Sequence, residues 1–504
     1  MIAHHLEADK ARTLFPLVED LLTTVQQAAQ HGTPAHEVEA NLWQRVLAIG
    51  HQALALFFQL QGTGDLGDTL PLPDSTTAQR LEETHARNYR SVFGDFTLHR
   101  TVYGTREGQK LDFVPLDARL QLPASDYSYL LQQWDQSLGC EFAFARVGST
   151  LFDILGLKQS TDSLERLNRQ MAEQVGSYRQ SRPLPNAEDE GEVMVAQADG
   201  KGIVIRRQAD QPRILGHRKK GQKANQKRMA VVGAIYSVNR FPRTASEVVE
   251  ALFHDPREQR CPKLQRPQPV GKHLWASLTY EHEGKEVAGA EEVFGWLKDE
   301  LAARNPSQQR ETVYLMDGQE SLWEARRTHL PGANAVEILD LLHVTPRLWE
   351  AAHLFHKEGS GEATAFVRER LGRVLEGRVR TVVSGLRQMG TKRELSEAKK
   401  KRLAVLCKYL EKNSARMQYD QYLAKGYPIA SGVIEGACRH YVKDRMERAG
   451  MHWTKEGAQA MLDVRSEYLN GDWKAFQEYR ITRETARLYP HRQVLEGVEW
   501  ALAV

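Results

Sequence analysis

The chain has 504 residues, too many for one compact core, and its 41% hydrophobic and 26% charged residues are ordinary for soluble globular protein. A net charge of +3 singles out no partner, no basic segment followed by an apolar run opens the chain to suggest a secretory signal, and the most apolar stretch, Leu42–Leu60, holds Gln44, Arg45, His51 and Gln52, which suits a buried helix and not a membrane span. Cys140, Cys261, Cys407 and Cys438 form no CxxC pair, which argues against a zinc knuckle or disulfide framework and for reduced thiols in a cytoplasmic protein.

Residues 1–85 are expected to be mainly helical, because Leu14, Val18, Leu21, Leu22 and Val25 recur at helical spacing and Pro16 falls where a helix start tolerates proline. Gly62–Ser75 reads as a linker, and residues 86–138 as a small mixed segment with strand character at Phe96–Tyr103. In 139–185 an amphipathic stretch, Phe142–Leu155, breaks at Gly156. A second helix runs from Ser163 to Val175 behind Thr161 as its N-cap. Such a pair is either a plain helical hairpin or a DNA-binding helix-turn-helix. Arg166, Asn168, Arg169 and Gln170 on the second helix are of the types that read guanine and adenine, and Arg166, Arg169 and Gln170 can share one face.

From 190 to 345 strands are expected at Val193–Ala198, Gly202–Arg207, Met229–Val238, Thr312–Met316 and Ala335–Leu339, with helices at Ala290–Ala303 and Ser321–Leu330. Three strands in succession, then strands alternating with helices, predict an α/β mixed sheet. Residues 346–425 read as an all-α insertion. A further helix, Ser431–Ala449, lies in a closing segment, 426–475, and a C-terminal tail covers 476–504.

Asp199 and Asp317 each follow an apolar run and precede glycine, placing carboxylates at strand ends, where α/β sheets commonly carry their chemistry. Either one alone reads as an Asp-Gly turn. Glu435 falls in the first turn of a helix whose expected N-cap is Ser431. As a set, the three can hold two divalent ions, Mg²⁺ or Mn²⁺, about 4 Å apart, for phosphodiester cleavage and strand transfer. Asp340 and His343 form Asp-x-x-His at the expected end of the fifth strand. There the two are either a buried polar pair packing the strand end or site residues, Asp340 as a rival of Asp317 for the second position and His343 as a phosphate donor or an orienter of a carboxylate. Asp317 is preferred because the fourth strand is expected beside the first.

The order Asp199, Asp317, Asp340-x-x-His343, a long helical stretch and Glu435 resembles Mutator-like bacterial insertion-sequence transposases of the IS-Kra type. The likeness is carried by Leu339–Trp349, Tyr427–Arg465 and Val92–Pro123, and covers about residues 85–470. In its tail stand Gly436, Arg445, Gly450, Trp453 and Gly457, with His452 where arginine is expected. The resemblance implies a ribonuclease H-like core interrupted by an all-α insertion, catalysis by two Mg²⁺ or Mn²⁺ ions per site, and recognition of terminal inverted repeats.

Double-stranded DNA is the expected partner of two basic tracts. Lys201–Arg228 holds ten Lys or Arg and one acid, including Arg218, Lys219, Lys220, Lys223, Lys227 and Arg228. Arg368–Arg416 holds fifteen Lys or Arg and five acids, peaking at Lys399, Lys400, Lys401 and Arg402, where a solvated helix face is the competing reading. Trp323, Trp349 and Trp453 are read first as packing residues, with base stacking the alternative at Trp453. The expected function is a transposase working as a homo-oligomer on paired ends in the bacterial nucleoid. A site-specific nuclease and a domesticated DNA-binding regulator are the alternatives.

Overall fold

Helix α1, Phe15–His31, ends at Gly32 in a left-handed conformation, and α2, Ala35–Gln61, runs back along it. This is the first part of a computed structural model that describes the chain apart from residues 1–12, 74–76, 105–110, 207–225, 254–265, 283–284, 331, 333–334, 449–450, 499 and 501–504. The fold is mixed α/β, in two units: residues 1–178 together with 472–504, and residues 179–471. Among the described residues no helix is long and apolar enough to cross a membrane.

In the first unit the expected apolar stripe of α1 divides. Leu14 and Leu21 are half-buried, whereas Val18, Leu22 and Val25 are exposed, and no residue of the helix is fully buried. The expected linker contains strand β1, Thr69–Pro71, because Leu70 and Leu72 bury with Tyr103 and Phe113. Strand β2, Thr77–Arg80, pairs with it. The strand expected at Phe96–Tyr103 is split between a hairpin, β3 His85–Ser91 with β4 Gly94–Arg100, and β5, Tyr103–Gly104, which joins β2 and β6, Leu111–Phe113.

Short helix α3, Pro115–Leu120, precedes α4, Tyr129–Glu141, whose Ser128 accepts from Leu131 N. The expected pair follows as α5, Phe144–Leu155, and α6, Thr161–Ala172. Gly156 ends α5 in the left-handed region, as its position predicts. The cap of α6 is Ser160, not Thr161: its hydroxyl accepts from Ser163 N at 3.2 Å. Asn168 faces inward and donates to Gln136 Oε1 at 2.9 Å, so it is not a surface reading residue. Helix α7, Val175–Ser181, spans the boundary between the units.

The second unit is built on strand β7, Val193–Ile205, which antiparallel β8, Gln226–Val238, pairs along its full length. The two strands expected at 193–198 and 202–207 are therefore one, and Asp199 lies inside it, opposite Val232, and not after its end. After α8, Ala245–Leu252, comes a strand absent from the sequence expectation: β9, Val270–Leu278, antiparallel to β8. A hairpin, β10 Tyr280–His282 with β11 Lys285–Val287, leads to α9, Gly289–Arg304. The chain continues through β12 Glu311–Met316, α10 Glu320–His329 and β13 Ala335–Leu339, with β12 parallel to both β7 and β13. The sheet order is β13-β12-β7-β8-β9.

Strand alternation divides the core into two layers. Val193, Val195, Val313 and Leu315 pack on one face, and Met194, Ala196, Ala198, Tyr314 and Met316 with α9 and Trp323 on the other. The first face is covered by the helical segment: α11 Leu341–Phe355, α12 Gly361–Leu375, α13 Val379–Lys392, α14 Glu397–Lys412 and α15 Tyr419–Ala424. The helix expected over Ser431–Ala449 is not continuous. It consists of α16, Gly432–Ala437, a π-helical turn, Cys438–Lys443, and α17, Asp444–Met446. Residues 449 and 450, where it was expected to stop, lie outside the described residues.

Helix α18, Lys455–Asn470, covers the outer edge of β9. Asn470 Oδ1 and Gln459 Oε1 accept from Leu274 N and Leu278 N, each at 2.9 Å, satisfying backbone groups that would otherwise template another strand. In the first unit, α19, Trp473–Leu488, begins in the expected closing segment and runs into the segment expected as a tail.

Candidate active site

Strand register brings three aspartates level. Tyr314 pairs with Ala196 in parallel, so three residues further on Asp317 falls beside Asp199. Met316 pairs with Leu339, so Asp340 falls beside Asp317. Neighbouring strands lie about 4.8 Å apart. Asp199 continues the face of Val193 and Val195, and Asp317 that of Val313 and Leu315, so both point to one side of the sheet.

Asp317 sits just past the end of β12. Its Oδ1 accepts from Gln319 N at 2.8 Å, a local turn that Asp-Gly favours, and its carbonyl accepts from the buried Trp323 Nε1 at 2.7 Å. A Cβ on Gly318 would lie 2.5 Å from the Tyr409 ring, so glycine is what lets α14 close over the strand end. Burial, aided by repulsion from Asp199, raises the Asp317 carboxyl above its ordinary value, against the Gln319 N–H, His343 and Arg347. The same carboxylate adds to the burial that pushes the Tyr409 hydroxyl up to about 12.

Asp340 follows the last pair of the β12–β13 ladder, where its N–H donates to Met316 O at 2.9 Å. It is the N-cap of α11, and His343 lies in the first turn of that helix. Asp340 Oδ1 accepts from Leu342 N at 2.9 Å and from Ser431 N at 3.1 Å, and its Oδ2 accepts from the Ser431 hydroxyl. It is fully buried, and this desolvation raises its pKa although the bonds from Ser431 and Leu342 oppose the rise. Ser431 is the residue before α16, as expected, but its hydroxyl is committed to Asp340 and does not cap the helix.

Glu435 in α16 is half-exposed, and its Oε1 lies 2.9 Å from His343 Nε2. A proton on Nε2 would thus be donated to the glutamate. Cys438 Sγ lies 3.3 Å from Asp199 Oδ2. Burial and the adjacent Asp199 raise the thiol far above its ordinary value, so it keeps its proton and donates. Asp199, Asp317, Asp340, His343 and Glu435 therefore form one neighbourhood. Cys438 and Tyr409 belong to it as well, and neither was expected from the sequence.

Among the described residues, Asp340, His343 and Glu435 are the three whose ligand atoms approach within 4.8 Å of one another. Asp340 is the weak member, since three donors already occupy its oxygens. Asp199, Asp317 and Glu435 offer carboxylate oxygens, the donor type that Mg²⁺ and Mn²⁺ prefer, and are not, among the described residues, a group of three that approaches so closely. A pair of ions about 4 Å apart calls for ligands spread more widely than around one ion.

The expected DNA contacts divide into four groups. Arg218, Lys219, Lys220 and Lys223 lie outside the described residues. Lys227 and Arg228 are on β8, where Lys227 Nζ is 2.9 Å from Glu447 Oε1, and Glu447 follows α17 directly. On α14, Lys400 bonds Glu397, Arg402 bonds Glu350 and Lys399 Nζ donates to Leu354 O, all at 2.7–2.9 Å, while Lys401 is exposed beside them. Intrachain partners thus account for much of that peak. On α6, Arg166, Arg169 and Gln170 are exposed together, with Glu165 3.8 Å from Arg169.

Trp323 and Trp453 are packing residues. The Trp453 indole N–H donates to Met446 O at 3.1 Å, its ring faces the Arg445 guanidinium, and its backbone bonds Val204 and Arg206 at the end of β7. The His452 carbonyl accepts from Arg206 Nε at 2.9 Å. Trp349 is half-buried against Phe253. No protein-family model matches the chain, and no curated protein matches it.

Proposed function

We propose that this chain is a DNA transposase of the DDE type that binds the terminal inverted repeats of its own element and cuts and joins DNA strands. The observation that carries the reading is the register that sets Asp199 and Asp317 level on one face of adjacent parallel strands, with Glu435 brought to the same neighbourhood by α16. The order β13-β12-β7-β8-β9, antiparallel among β7, β8 and β9 and parallel among β7, β12 and β13, supports a ribonuclease H-like core. The helices between β13 and α16 correspond to the insertion that the resemblance implies.

Asp199, Asp317 and Glu435 would hold the divalent ions. The raised pKa of Asp317, partly due to Asp199, is an electrostatic cost that bound cations remove, and this supports the fit. Bound Mg²⁺ or Mn²⁺ supplies charge stabilisation for the attacking and leaving oxygens of a phosphodiester. The chain's own part is placement. Asp340 holds Ser431, which fixes where α16 begins, and His343 holds Glu435. The hydroxyl of water would attack a backbone phosphorus and displace a DNA 3′ oxygen as a hydroxyl, and that hydroxyl would then attack a target phosphorus and displace its 3′ oxygen, with no covalent protein–DNA intermediate.

Recognition of element ends is assigned to α5 and α6 as a helix-turn-helix, with Arg166, Arg169 and Gln170 toward base edges. Lys227, Arg228 and the basic tract before them are assigned to phosphate. The protein acts as a dimer or larger assembly. The α1–α2 hairpin is the proposed contact, since Phe15 at 67%, Leu22 at 57% and Trp43 at 43% exposure leave an apolar face uncovered in the first unit. Light scattering tests that part: a monomer that still joins two ends refutes it.

The test of function is incubation of the full chain with its own element ends and Mg²⁺, mapping cleavage on both strands and strand transfer to a target. Asp199→Asn, Asp317→Asn and Glu435→Gln should each abolish cleavage and keep end binding. Cleavage without transfer would favour a nuclease. Binding with no cleavage in any divalent metal would favour a regulator.

A further inference from the structure

Helix α16 is held to the sheet at two points, both on the face of β7 that carries Asp199. Gln197, fully buried, accepts from Ile434 N at 3.1 Å and donates through Nε2 to the Tyr236 hydroxyl at 3.3 Å. Two residues along, and so on the same face, Asp199 Oδ2 meets the Cys438 thiol at 3.3 Å. Asp199 Oδ1 takes the Gly200 N–H at 2.7 Å. Each carboxylate oxygen thus has a donor, and the rotamer is fixed from both sides. Cys438 follows Glu435 by three positions, a spacing that shares a helix face, and it opens the π-helical turn. Turns of that kind are frequent where a helix yields to a functional constraint.

We propose that Cys438 is a positioning residue for the metal-binding carboxylates: its S–H holds Asp199 Oδ2 and so keeps Asp199 and Glu435 in register across the junction of β7 and α16. The inference rests on the transposase reading only in that Asp199 and Glu435 bind divalent metal. It separates two roles for a buried cysteine. A cysteine that only packs is replaceable by valine, which is close in size and has no donor. A cysteine that donates is replaceable by serine.

The test compares Cys438→Ser and Cys438→Val with the unaltered full chain, reading Mn²⁺ binding by electron paramagnetic resonance without DNA. Thermal melts establish that each variant is folded, and Cys438→Ala takes the place of a valine variant that is not. Loss of a residue that orients a metal ligand weakens metal binding by roughly 10-fold or more. The valine variant should show that loss, and serine should stay within roughly threefold of the unaltered chain on the same scale. Equal Mn²⁺ midpoints in the serine and valine variants, whether both unchanged or both raised, overturn the proposal. Mn²⁺ binding that follows this pattern in a protein that cuts no DNA overturns the transposase reading and leaves the positioning role standing. An unaltered chain that binds no Mn²⁺ overturns both.

Discussion

Asp317→Asn and Asp340→Asn should have opposite consequences, although the two aspartates stand level on neighbouring strands. Asp340 accepts three hydrogen bonds with no solvent exposure. Asparagine keeps one acceptor oxygen and turns an amide N–H₂ toward one or more of the same donors. A bond to a charged group contributes about 1.5–3 kcal/mol, and a buried donor left unpaired costs about 1–3 kcal/mol. Removing a buried charge offsets part of this, as the raised pKa of Asp340 indicates. The net cost should be about 2–4 kcal/mol, which for a unit of this size lowers the melting temperature by roughly 3–7 °C. The folded variant keeps all three carboxylates of the proposed metal set, so Mn²⁺ binding should persist, weakened only as far as a loosened Ser431 lets α16 and Glu435 shift.

Asp317 has one local backbone donor and a carboxylate neighbour that repels it. Asp317→Asn removes the repulsion, so the metal-free chain should melt at or above the unaltered temperature and lose Mn²⁺ binding. Scanning calorimetry without metal, paired with Mn²⁺ titration, reads both quantities. If Asp340→Asn loses metal binding at unchanged stability while Asp317→Asn keeps it, the assignment of the second ligand is reversed and Asp340 with His343 and Glu435 is the metal centre.

Three other outcomes follow from the geometry. Asp317 holds its proton more tightly folded than unfolded, so its ionisation costs stability as pH rises through the carboxyl range; the melting temperature gained on adding Mg²⁺ should therefore be larger at pH 8 than at pH 4, and an equal gain would refute metal binding at this carboxylate. Asp135, fully buried with Gln159 Nε2 at 2.7 Å, has its carboxyl raised to about 7 by desolvation, so stability falls between about pH 4 and 7 as the unfolded chain releases a proton the folded one keeps. Asp135→Asn should remove that fall, worth on the order of 4 kcal/mol at most, and an unchanged stability profile between pH 4 and 8 would refute it. Arg166→Ala and Arg169→Ala should each cost about 1–3 kcal/mol at one base position of the element end with little change in non-specific binding, and a uniform loss across sequences in competition assays would make α6 a phosphate-binding helix.

What was legible in the sequence was local. Thr312–Met316 is an apolar run ending in Asp-Gly, and the structure places β12 there with a turn at Asp317. The same dipeptide at Asp199 misleads, because β8 extends its ladder to Gln226 and carries β7 straight through Gly200. Strand β9 went unseen because what completes it comes from elsewhere: Gln459 and Asn470 of α18 satisfy its outer edge and Asp463 accepts from Trp275. The Asp-x-x-His motif was visible, and His343 meets the Glu435 carboxylate as one of its readings had it, but the partner of Asp340 was not foreseen. Asp340 acts on Ser431, 91 residues later, and no spacing rule reaches that far. Cys438 looked inert since no second cysteine stood near it, and its partner is an aspartate on another element.

The helices between β13 and α16 are part of the same core as the sheet. Val195, Val313, Leu315 and Ile338 share one apolar cluster with Leu371, Val383, Leu386, Leu406 and Leu410. The segment that returns to Glu435 is then stitched to the strands bond by bond. Tyr419 and Tyr422 donate to Leu339 O and Glu337 O, Tyr427 donates to Glu311, and Leu341 N donates to Ile429 O. These bonds fix the path into Ser431, and Asp340 fixes Ser431 itself. Removing the helical segment would strip one face of β12 and β13 as well as the route to Glu435, so the carboxylates at the sheet depend on that segment for their neighbour and for their own rigidity. The third carboxylate is thus placed by the packing of the intervening helices and not by its distance along the chain, which is why a helical segment of this length can separate it from the strands without loosening the site.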